Sequence, residues 1–478
     1  MLSDEFPAKT LEAVSRVVEP KPLRSKEQLQ KLYRPEVNRV RGEDIVLRMK
    51  IELEDAFLST FYKAFVIGHS GVGKSTEMSR LFLELEGKYE AIPFSARLDL
   101  DPGNLEPYDV VLLMLMLLVE QSALPIDRGG LGFTASKVAL QPLLDWLAEE
   151  TDTTSRLSER QAELAAGVGV SEDSFLAKVL GVFASAKGEL RYAASRRKER
   201  IEYRLRRLSE LITIANRILA EYRRALRDQK GKEWIFLGED FDKGFTSASI
   251  EKLFLNYGSL FRELETHLIF SIPVALAYSQ KAAQLPFGND RILNIPDTPV
   301  FDRQHQVHEK GRAAVRAVLA ARVDPDLFEA GQLDRLIVAS GGNLRDLFSM
   351  VRQAALNARI RQASQIGEVD STFVINQTRI TYQRRLGESP FDPDEVNYAK
   401  KAQRLVEIYN NVECSDMADP VLYSLLNARA VQEFNGERWF GVHPLVVEIL
   451  ERQGHLATAT ATRARTRKRQ PSGDSAIR

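Results

Sequence analysis

The sequence predicts an α/β fold in which a parallel sheet with a long helical insertion is followed by an α-helical region and a small C-terminal domain. Three observations lead to this fold class. Short apolar runs alternate with segments of helical spacing before residue 300, which is typical of strands that pair in parallel. A glycine-rich loop joins the first run to a helix, and after residue 300 the apolar spacing becomes helical.

The composition defines the broad class of protein. The chain has 478 residues, enough for about two to four domains. It carries 66 Lys and Arg against 66 Asp and Glu, and this balance gives no whole-chain argument for binding nucleic acid or a membrane surface. The single cysteine, Cys414, excludes a disulfide framework and a thiolate zinc site, and it fits a reducing cytoplasm. The most apolar run, 110–119, is too short to span a bilayer, and we expect a buried helix there.

The glycine-rich loop lies in the sequence VIGHSGVGKST, residues 66–76. Residues 68–75 match the pattern G-x-x-x-x-G-K-[ST], with a short apolar strand at 63–67 before them and helical spacing after them. That context predicts a phosphate-binding P-loop. Its residues are Gly68, His69, Ser70, Gly71, Val72, Gly73, Lys74, Ser75 and Thr76. The alternative is a glycine-rich turn with a solvated lysine.

Each residue type in this loop has a physical reason to be there. The glycines let the backbone curl, so that successive N–H groups point inward at an anion, and the start of the next helix adds its positive dipole end. Lys74 offers a charge to the β- and γ-phosphates, and Ser75 offers a hydroxyl to Mg²⁺. Without a ligand, we expect Lys74 to face solvent.

A carboxylate at the end of a neighbouring strand should hold the Mg²⁺ and orient water. The apolar run 234–237 is followed by Glu239, Asp240 and Asp242. Because adjacent residues of a strand face opposite ways, the metal-facing residue is either Glu239 or Asp240. The alternative is an acidic turn after a core strand. Further strands are predicted at 91–96, 267–279 and 291–296, and the sheet then has at least five strands.

The region after residue 300 contains two helical patterns. The spacing over residues 336–356 predicts a helix, a Gly-Gly-Asn break and a second helix, with Arg345 near the start of the second. Residues 394–454 have the pattern of a winged helix, with helices at 394–410 and about 420–428. Two strands surround Asn435-Gly436, a type I′ hairpin signal, and a last helix closes the pattern.

The order of P-loop core, helical lid and winged helix resembles the origin-recognition and STAND branches of the AAA+-like ATPases. The likeness covers roughly residues 40 to 455, and it extends to uncharacterised bacterial STAND-like ATPases, some of them in anti-phage defence clusters. It implies that Ser271 contacts the γ-phosphate or the attacking water, and that Arg345 reaches the nucleotide. The alternatives are that Ser271 is a core serine whose hydroxyl is hydrogen-bonded within the protein, and that Arg345 is an exposed arginine after a glycine C-cap.

The resemblance also implies ATP as the ligand, with Mg²⁺, and a nucleotide-controlled switch that forms a homo-oligomer or acts on a separate effector protein. No guanine-reading N-K-x-D pattern occurs. The predicted domains are a helical segment at 1–60, the P-loop core at 61–300 with its insertion at about 125–232, the lid at 301–390, the winged helix at 391–455 and a basic disordered tail at 456–478.

The second half of the insertion has apolar residues spaced alternately by four and three, which predicts a long helical arm. These residues are Ile201, Leu205, Leu208, Ile212, Ala215, Leu219, Tyr222 and Leu226. The segment 191–207 is basic through Arg191, Arg196, Arg197, Lys198, Arg200, Arg204, Arg206 and Arg207. It is either a solvated face, a contact with a neighbouring subunit's nucleotide, or a nucleic-acid contact.

Three functions remain open from the sequence. The favoured one is a cytoplasmic, Mg²⁺-dependent ATP-hydrolysing switch. The second is a DNA-binding regulator or loader that uses the winged helix and the basic segment or tail, although the segment 420–428 contains no Lys or Arg before Arg429. The third is a scaffold that holds nucleotide without hydrolysing it, an alternative that Glu239 keeps open because Asp is more usual at that place.

Overall fold

The computed structural model describes residues 6–148, 172–191, 198–387, 396–413, 417–434 and 439–457. The chain forms two compact units. The sheet unit comprises Ile45–Ile67 and Lys74–Asn294, and the helical unit comprises Met1–Asp44, Gly68–Gly73 and Ile295–Arg478. Cys414 and residues 458–478 of the predicted tail lie outside the described residues.

The sheet unit is built on five parallel strands within its described residues. They are β1 (Lys63–Ile67), β2 (Tyr89–Ser95), β3 (Glu233–Glu239), β4 (His267–Ser271) and β5 (Ile292–Asn294), in the order β2-β3-β4-β1-β5. Every residue of β3 and β4 is buried, as expected for parallel strands with both faces covered. The predicted fold class, an α/β P-loop fold with a parallel sheet and a helical region after it, is confirmed.

One strand is shorter than predicted. The prediction extended it over 267–279, but β4 ends at Ser271 and a short helix, Val274–Ala277, follows. Pro273 stands at the N-cap of that helix. Proline lacks a backbone N–H and cannot continue the hydrogen-bonded ladder of a central strand, so an apolar run that looks continuous in sequence divides into a strand and a helix.

The described part of the sheet unit also contains α-helices, and several of them pack on the strands. The helices are Ile45–Ala56, Lys74–Leu85, Ala96–Asp99, Pro107–Ala123, Lys137–Ala148, Glu172–Arg191, Lys198–Arg206, Leu208–Lys230, Ser247–Glu251, Ser259–Glu263 and Val274–Ala277. Helix Pro107–Ala123 is buried along nearly its whole length, which confirms the buried helix predicted at 110–119. Over the described residues, no helix combines the length and the apolar character that a membrane crossing needs.

The predicted long arm is wrong for helix Leu208–Lys230. Its apolar stripe, which includes Ile212, Leu219 and Leu226, is buried. The helix packs within the sheet unit on helices Pro107–Ala123 and Lys137–Ala148 and on β3. A stripe spaced by four and three covers a core as readily as it forms a coiled-coil seam, and here it covers the core.

The helical unit contains the N-terminal helices and everything after residue 294. Its helices are Leu11–Val17, Lys26–Leu32, Glu36–Arg41, Glu309–Ala320, Gln332–Ala339, Leu344–Ile360, Glu368–Leu386, Tyr398–Tyr409, Pro420–Asn427 and Pro444–Arg452. An antiparallel pair, β6 (Val431–Phe434) and β7 (Trp439–Val442), precedes the last helix. The Asn435-Gly436 turn lies outside the described residues, and the name winged helix stays a prediction.

A buried histidine of the sheet unit makes stability depend on pH. Burial, followed by the nearby charges of Arg223 and Lys63, lowers the pKa of His267 to about 4. Its Nδ1 accepts a hydrogen bond from the backbone N–H of Tyr62 at 3.0 Å. The fold therefore favours the neutral ring, and this contribution is complete above the ordinary pKa of about 6.5 and is lost as the pH falls towards about 4.

We expect the free energy of unfolding to fall by about 3 kcal/mol over that pH interval because of His267. In His267→Asn, which cannot titrate there, this part of the pH dependence should disappear. Denaturant titrations at several pH values measure it, with His455→Asn, at an exposed position, as the matched control. Equal pH dependence in the wild type and His267→Asn would contradict the prediction.

Candidate functional site

The predicted P-loop leaves β1 at Ile67 and enters helix Lys74–Leu85 at Lys74. Gly68 and Gly71 have φ angles of +145° and +98°, a region that side chains avoid. A Cβ at Gly68 would lie 2.4 Å from the Ile295 carbonyl oxygen, and one at Gly71 would lie 2.4 Å from Asn343 Oδ1. The loop therefore needs glycine at these positions both for its curl and for the close approach of neighbouring atoms.

Lys74 does not face solvent, so that expectation is wrong. Its side chain is 8% exposed, and its Nζ lies 2.8 Å from Oδ2 of Asp242, whose side chain is 7% exposed. A carboxylate thus stands beside the lysine where a phosphate anion is expected. The Lys74 ammonium therefore faces an anion in this structure, and its binding to phosphate stays a prediction. In the sequence, Asp242 is only the last residue of an acidic run, and no local pattern predicts its pairing with Lys74.

The two predicted carboxylates occupy different surroundings. Glu239 is the last residue of β3 and is buried, whereas Asp240 follows it with a left-handed φ of +68°. Asp240 Oδ2 accepts a hydrogen bond from Ser95 Oγ at 2.8 Å, and its Oδ1 contacts Lys243 Nζ. Burial alone would raise the pKa of Asp240, but the hydrogen bonds from Lys243 and Ser95 outweigh it and the net direction is downward. Asp240 is therefore held as an anion.

Ser271 and Asp240, two of the predicted site residues, are joined by a hydrogen bond. Ser271 is the last residue of β4 and is buried, and its Oγ accepts a hydrogen bond from the backbone N–H of Asp240 at 3.2 Å. This contact joins the ends of two neighbouring strands. It also provides the satisfied hydrogen bond that the core-serine alternative requires, so a role of Ser271 towards nucleotide stays a prediction.

Ser75 and Thr76 lie in the first turn of helix Lys74–Leu85 and are half-buried. Where the structure describes the chain, no group of three or more His, Cys, Asp or Glu side chains could hold a metal ion by itself. Mg²⁺ at nucleotide sites usually needs only one or two protein carboxylates, because phosphate and water supply the other oxygens. Ser75 with Glu239 or Asp240 therefore remains the predicted metal-binding set.

Two side chains of the helical unit that follow the Gly-Gly break converge on Ser70. Asn343 Nδ2 donates to the Ser70 carbonyl oxygen at 3.0 Å, and Arg345 Nη1 donates to Ser70 Oγ. Asn343 also caps helix Leu344–Ile360 by accepting from the backbone N–H groups of Arg345 and Asp346. The structure thus places Arg345 against the predicted P-loop, and its contact with nucleotide stays a prediction.

Arg429 is a third donor on Ser70, and its contact was not predicted. Its Nη1 lies 3.1 Å from the Ser70 carbonyl oxygen, and its Nη2 lies 3.0 Å from Asp346 Oδ1. The other oxygen of Asp346 accepts from the hydroxyl of Tyr382 at 2.9 Å. In the sequence, Arg429 stands out only as a basic residue that could contact nucleic acid. No local pattern connects it with Ser70, which is 359 residues away.

The second residue of the loop belongs to a buried pair. His69 Nδ1 lies 2.6 Å from Oδ2 of Asp297, and both side chains are at least 95% buried. Burial would raise the pKa of Asp297, but His69 and then Arg41 outweigh it, and the pKa is lowered. Arg41 also donates from Nη2 to the Val72 carbonyl oxygen at 2.8 Å. Asp297 and Arg41 therefore fix the loop in place, and no sequence pattern predicts either contact.

The basic segment 191–207 is less available than predicted. Arg204 is buried, and its guanidinium lies 5.1 Å from the ring centre of Tyr108 and 5.4 Å from that of Trp146. Arg207 pairs with Glu210 at 2.7 Å. A buried arginine stacked on two rings does not reach a neighbouring subunit, so Arg204 is removed from the predicted contact set. Arg196 and Arg197 lie outside the described residues.

Comparisons with known proteins give remote structural likeness. No protein-family model matches the sequence, and no curated protein shows significant similarity to it. The Aeropyrum pernix ORC2 protein in its ADPNP–ADP complexes is 10% identical, with a TM-score of 0.41 over 94% of this chain and 100% of that chain. The Walker-type ATPase of Pyrococcus abyssi is 11% identical, with a TM-score of 0.37 over 91% and 99%.

The Drosophila origin-recognition complex bound to DNA gives similar values, with 10% identity and a TM-score of 0.38 over 93% of this chain and 92% of that chain. At these identities the fold class depends on the sheet order and the P-loop of the chain itself. The function has to be argued from the residues of the site.

Proposed function

We infer that this protein is a Mg²⁺-dependent ATPase whose bound nucleotide controls its assembly or a partner. One observation carries the inference. A loop with left-handed glycines follows a buried parallel strand and leads into a helix at Lys74, and that lysine already holds a buried carboxylate. Inward-facing backbone N–H groups, a helix N-terminus and a lysine together bind the phosphate chain of a nucleoside triphosphate.

The proposed roles follow from where the side chains lie. Lys74 binds the β- and γ-phosphates, and Ser75 with Glu239 or Asp240 holds the cation. When bound, Mg²⁺ neutralises charge on the phosphate oxygens. The other of the two carboxylates orients water, and Ser271 fixes the backbone of Asp240 in place. Arg345, at Ser70 of the loop, offers a guanidinium to the γ-phosphate.

The proposed switch rests on contacts within the helical unit. Ser70 receives hydrogen bonds from Asn343 and Arg345 after the Gly-Gly break and from Arg429 before β6. A phosphate chain in the loop competes with these contacts, since the same donors also bind phosphate oxygens. Nucleotide state is thereby linked to segments far along the chain. Assembly into a homo-oligomer, action on an effector protein and a role in anti-phage defence are the consequences that the resemblance suggests.

Calorimetric titration with ATP tests the binding step, and phosphate release tests hydrolysis. We expect ATP to bind in the presence of magnesium, with slow turnover, and to bind weakly in EDTA. GTP is the matched control ligand and should bind less tightly. Mass photometry with and without ATP then tests the switch. An absence of ATP binding in magnesium would contradict the proposed function, whereas binding without turnover would leave a nucleotide-holding scaffold.

A further inference from the structure

Lys74 pairs with Asp242, the third carboxylate of the acidic segment that follows β3. Asp242 lies in the turn after β3, two residues beyond Asp240. Its Oδ2 is 2.8 Å from Lys74 Nζ, and more than nine-tenths of each side chain is buried. Among the described residues, the other oxygen, Oδ1, is buried and has no hydrogen-bond partner.

This half-satisfied arrangement is costly for a purely structural ion pair. A buried ion pair gives up hydration at both charges, and a buried acceptor without a donor also loses the hydrogen bonds that it would make in water. A stabilising pair usually satisfies its remaining oxygen with a backbone or side-chain donor. The unpartnered Oδ1 leaves this carboxylate with one oxygen available to a bound group.

Lys74 has two anionic partners, one in the protein with nucleotide and one in the protein without it. In the proposed function its ammonium faces the β- and γ-phosphates, yet in the chain without nucleotide it faces Asp242. An ammonium close to both anions would hold a carboxylate and a phosphate near each other, and like charges at short range repel in a site of low polarity. A triphosphate therefore has to displace Asp242 from Lys74 or arrive with a cation that neutralises it.

We propose that Asp242 is a positioning residue that holds Lys74 in the nucleotide-free protein and makes nucleotide binding depend on the divalent cation. The triphosphate takes the place of the carboxylate at Lys74 Nζ, and the released carboxylate turns its oxygens to the cation that accompanies the phosphates. ATP without a cation meets the negative charge of Asp242 and binds poorly. This inference rests on the proposed function, and it adds a residue that gates the site.

The test compares ATP affinity in EDTA and in excess magnesium for the wild type, Asp242→Asn and Asp242→Glu. In EDTA, Asp242→Asn is expected to bind ATP roughly tenfold or more tightly than the wild type, because the competing charge is gone. Its gain in affinity on adding magnesium should shrink. Asp242→Glu keeps the charge and should behave like the wild type in EDTA. Glu251→Gln, which removes the carboxylate from an exposed pair with Lys281, is the matched control and should change nothing.

Thermal unfolding without nucleotide provides a second readout that does not depend on binding. The single variants Asp242→Asn and Lys74→Gln each leave a buried charge unpaired, so each should unfold at a lower temperature than the double variant. If the loss of stability in the double variant equals the sum of the losses in the two single variants, the two side chains are not coupled and the proposal is overturned. Equal ATP affinity of Asp242→Asn and the wild type in EDTA would overturn it as well. Failure of the wild type to bind ATP even in magnesium would instead reject the proposed function.

Discussion

Lys74→Ala is expected to reduce ATP affinity by about a hundredfold or more, since it removes the charge that faces the β- and γ-phosphates. The same substitution should also destabilise the protein, because Asp242 would stay buried without its cation. Removing one partner of a buried pair costs about 3–5 kcal/mol. Loss of binding and loss of stability would therefore appear together in this single variant.

A double variant separates the two effects. Lys74→Ala with Asp242→Asn removes both charges, and we expect it to recover much of the stability while ATP binding stays lost. Calorimetric titration and denaturant unfolding measure the two quantities on the same samples. Lys88→Ala, at an exposed lysine that pairs loosely with Glu54 at 3.6 Å, is the matched control. Wild-type affinity in a folded Lys74 variant would reject the assignment of the P-loop.

Glu239→Gln and Asp240→Asn are expected to fail in different ways, and each should reduce ATP turnover by about 10² to 10⁴. Substitution of the carboxylate that holds the cation should abolish the increase in ATP affinity that magnesium gives. Substitution of the carboxylate that orients water should leave ATP affinity unchanged and stop hydrolysis. Their unlike surroundings, a buried strand end for Glu239 and a turn fixed by Ser95 and Lys243 for Asp240, are the physical reason for different outcomes.

Phosphate release and ATP titration with and without magnesium distinguish the two carboxylates. Asp228→Asn, at an exposed position of the same unit, serves as the matched control and should match the wild type. If both site variants hydrolyse ATP at the wild-type rate, neither Glu239 nor Asp240 at the end of β3 takes part in binding the cation or in hydrolysis.

Features with a local cause were predictable from the sequence. The apolar strands, the glycine loop and the buried helix each follow from spacing and residue type within about ten to twenty residues. The Gly-Gly-Asn break is also a local feature. In the structure, Gly341 and Gly342 adopt left-handed φ angles of +59° and +80°, and Asn343 caps the next helix. These patterns were sufficient for the fold class, and the loop residues of the candidate site stay a prediction.

The errors came from patterns that two structures share. A long apolar run at 267–279 could be one strand or a strand and a helix, and Pro273 decided for the second. Alternate spacing by four and three could be a free arm or a core helix, and burial of the stripe in helix Leu208–Lys230 decided for the core. In both cases most of the apolar residues are buried. Which other element they pack against depends on the folded chain.

By itself, the sequence determined the fold class and the acidic segment after β3, and it predicted the P-loop and the place of Arg345 near a helix start. Only the tertiary structure decided which partners these residues have: Asp242 for Lys74, Arg429 for Ser70 and Asp297 for His69. The reason is that charge pairing depends on distance in space, whereas spacing patterns report only neighbours along one helix or strand. A lysine expected in solvent was therefore found buried against a carboxylate that belongs to another part of the sheet unit.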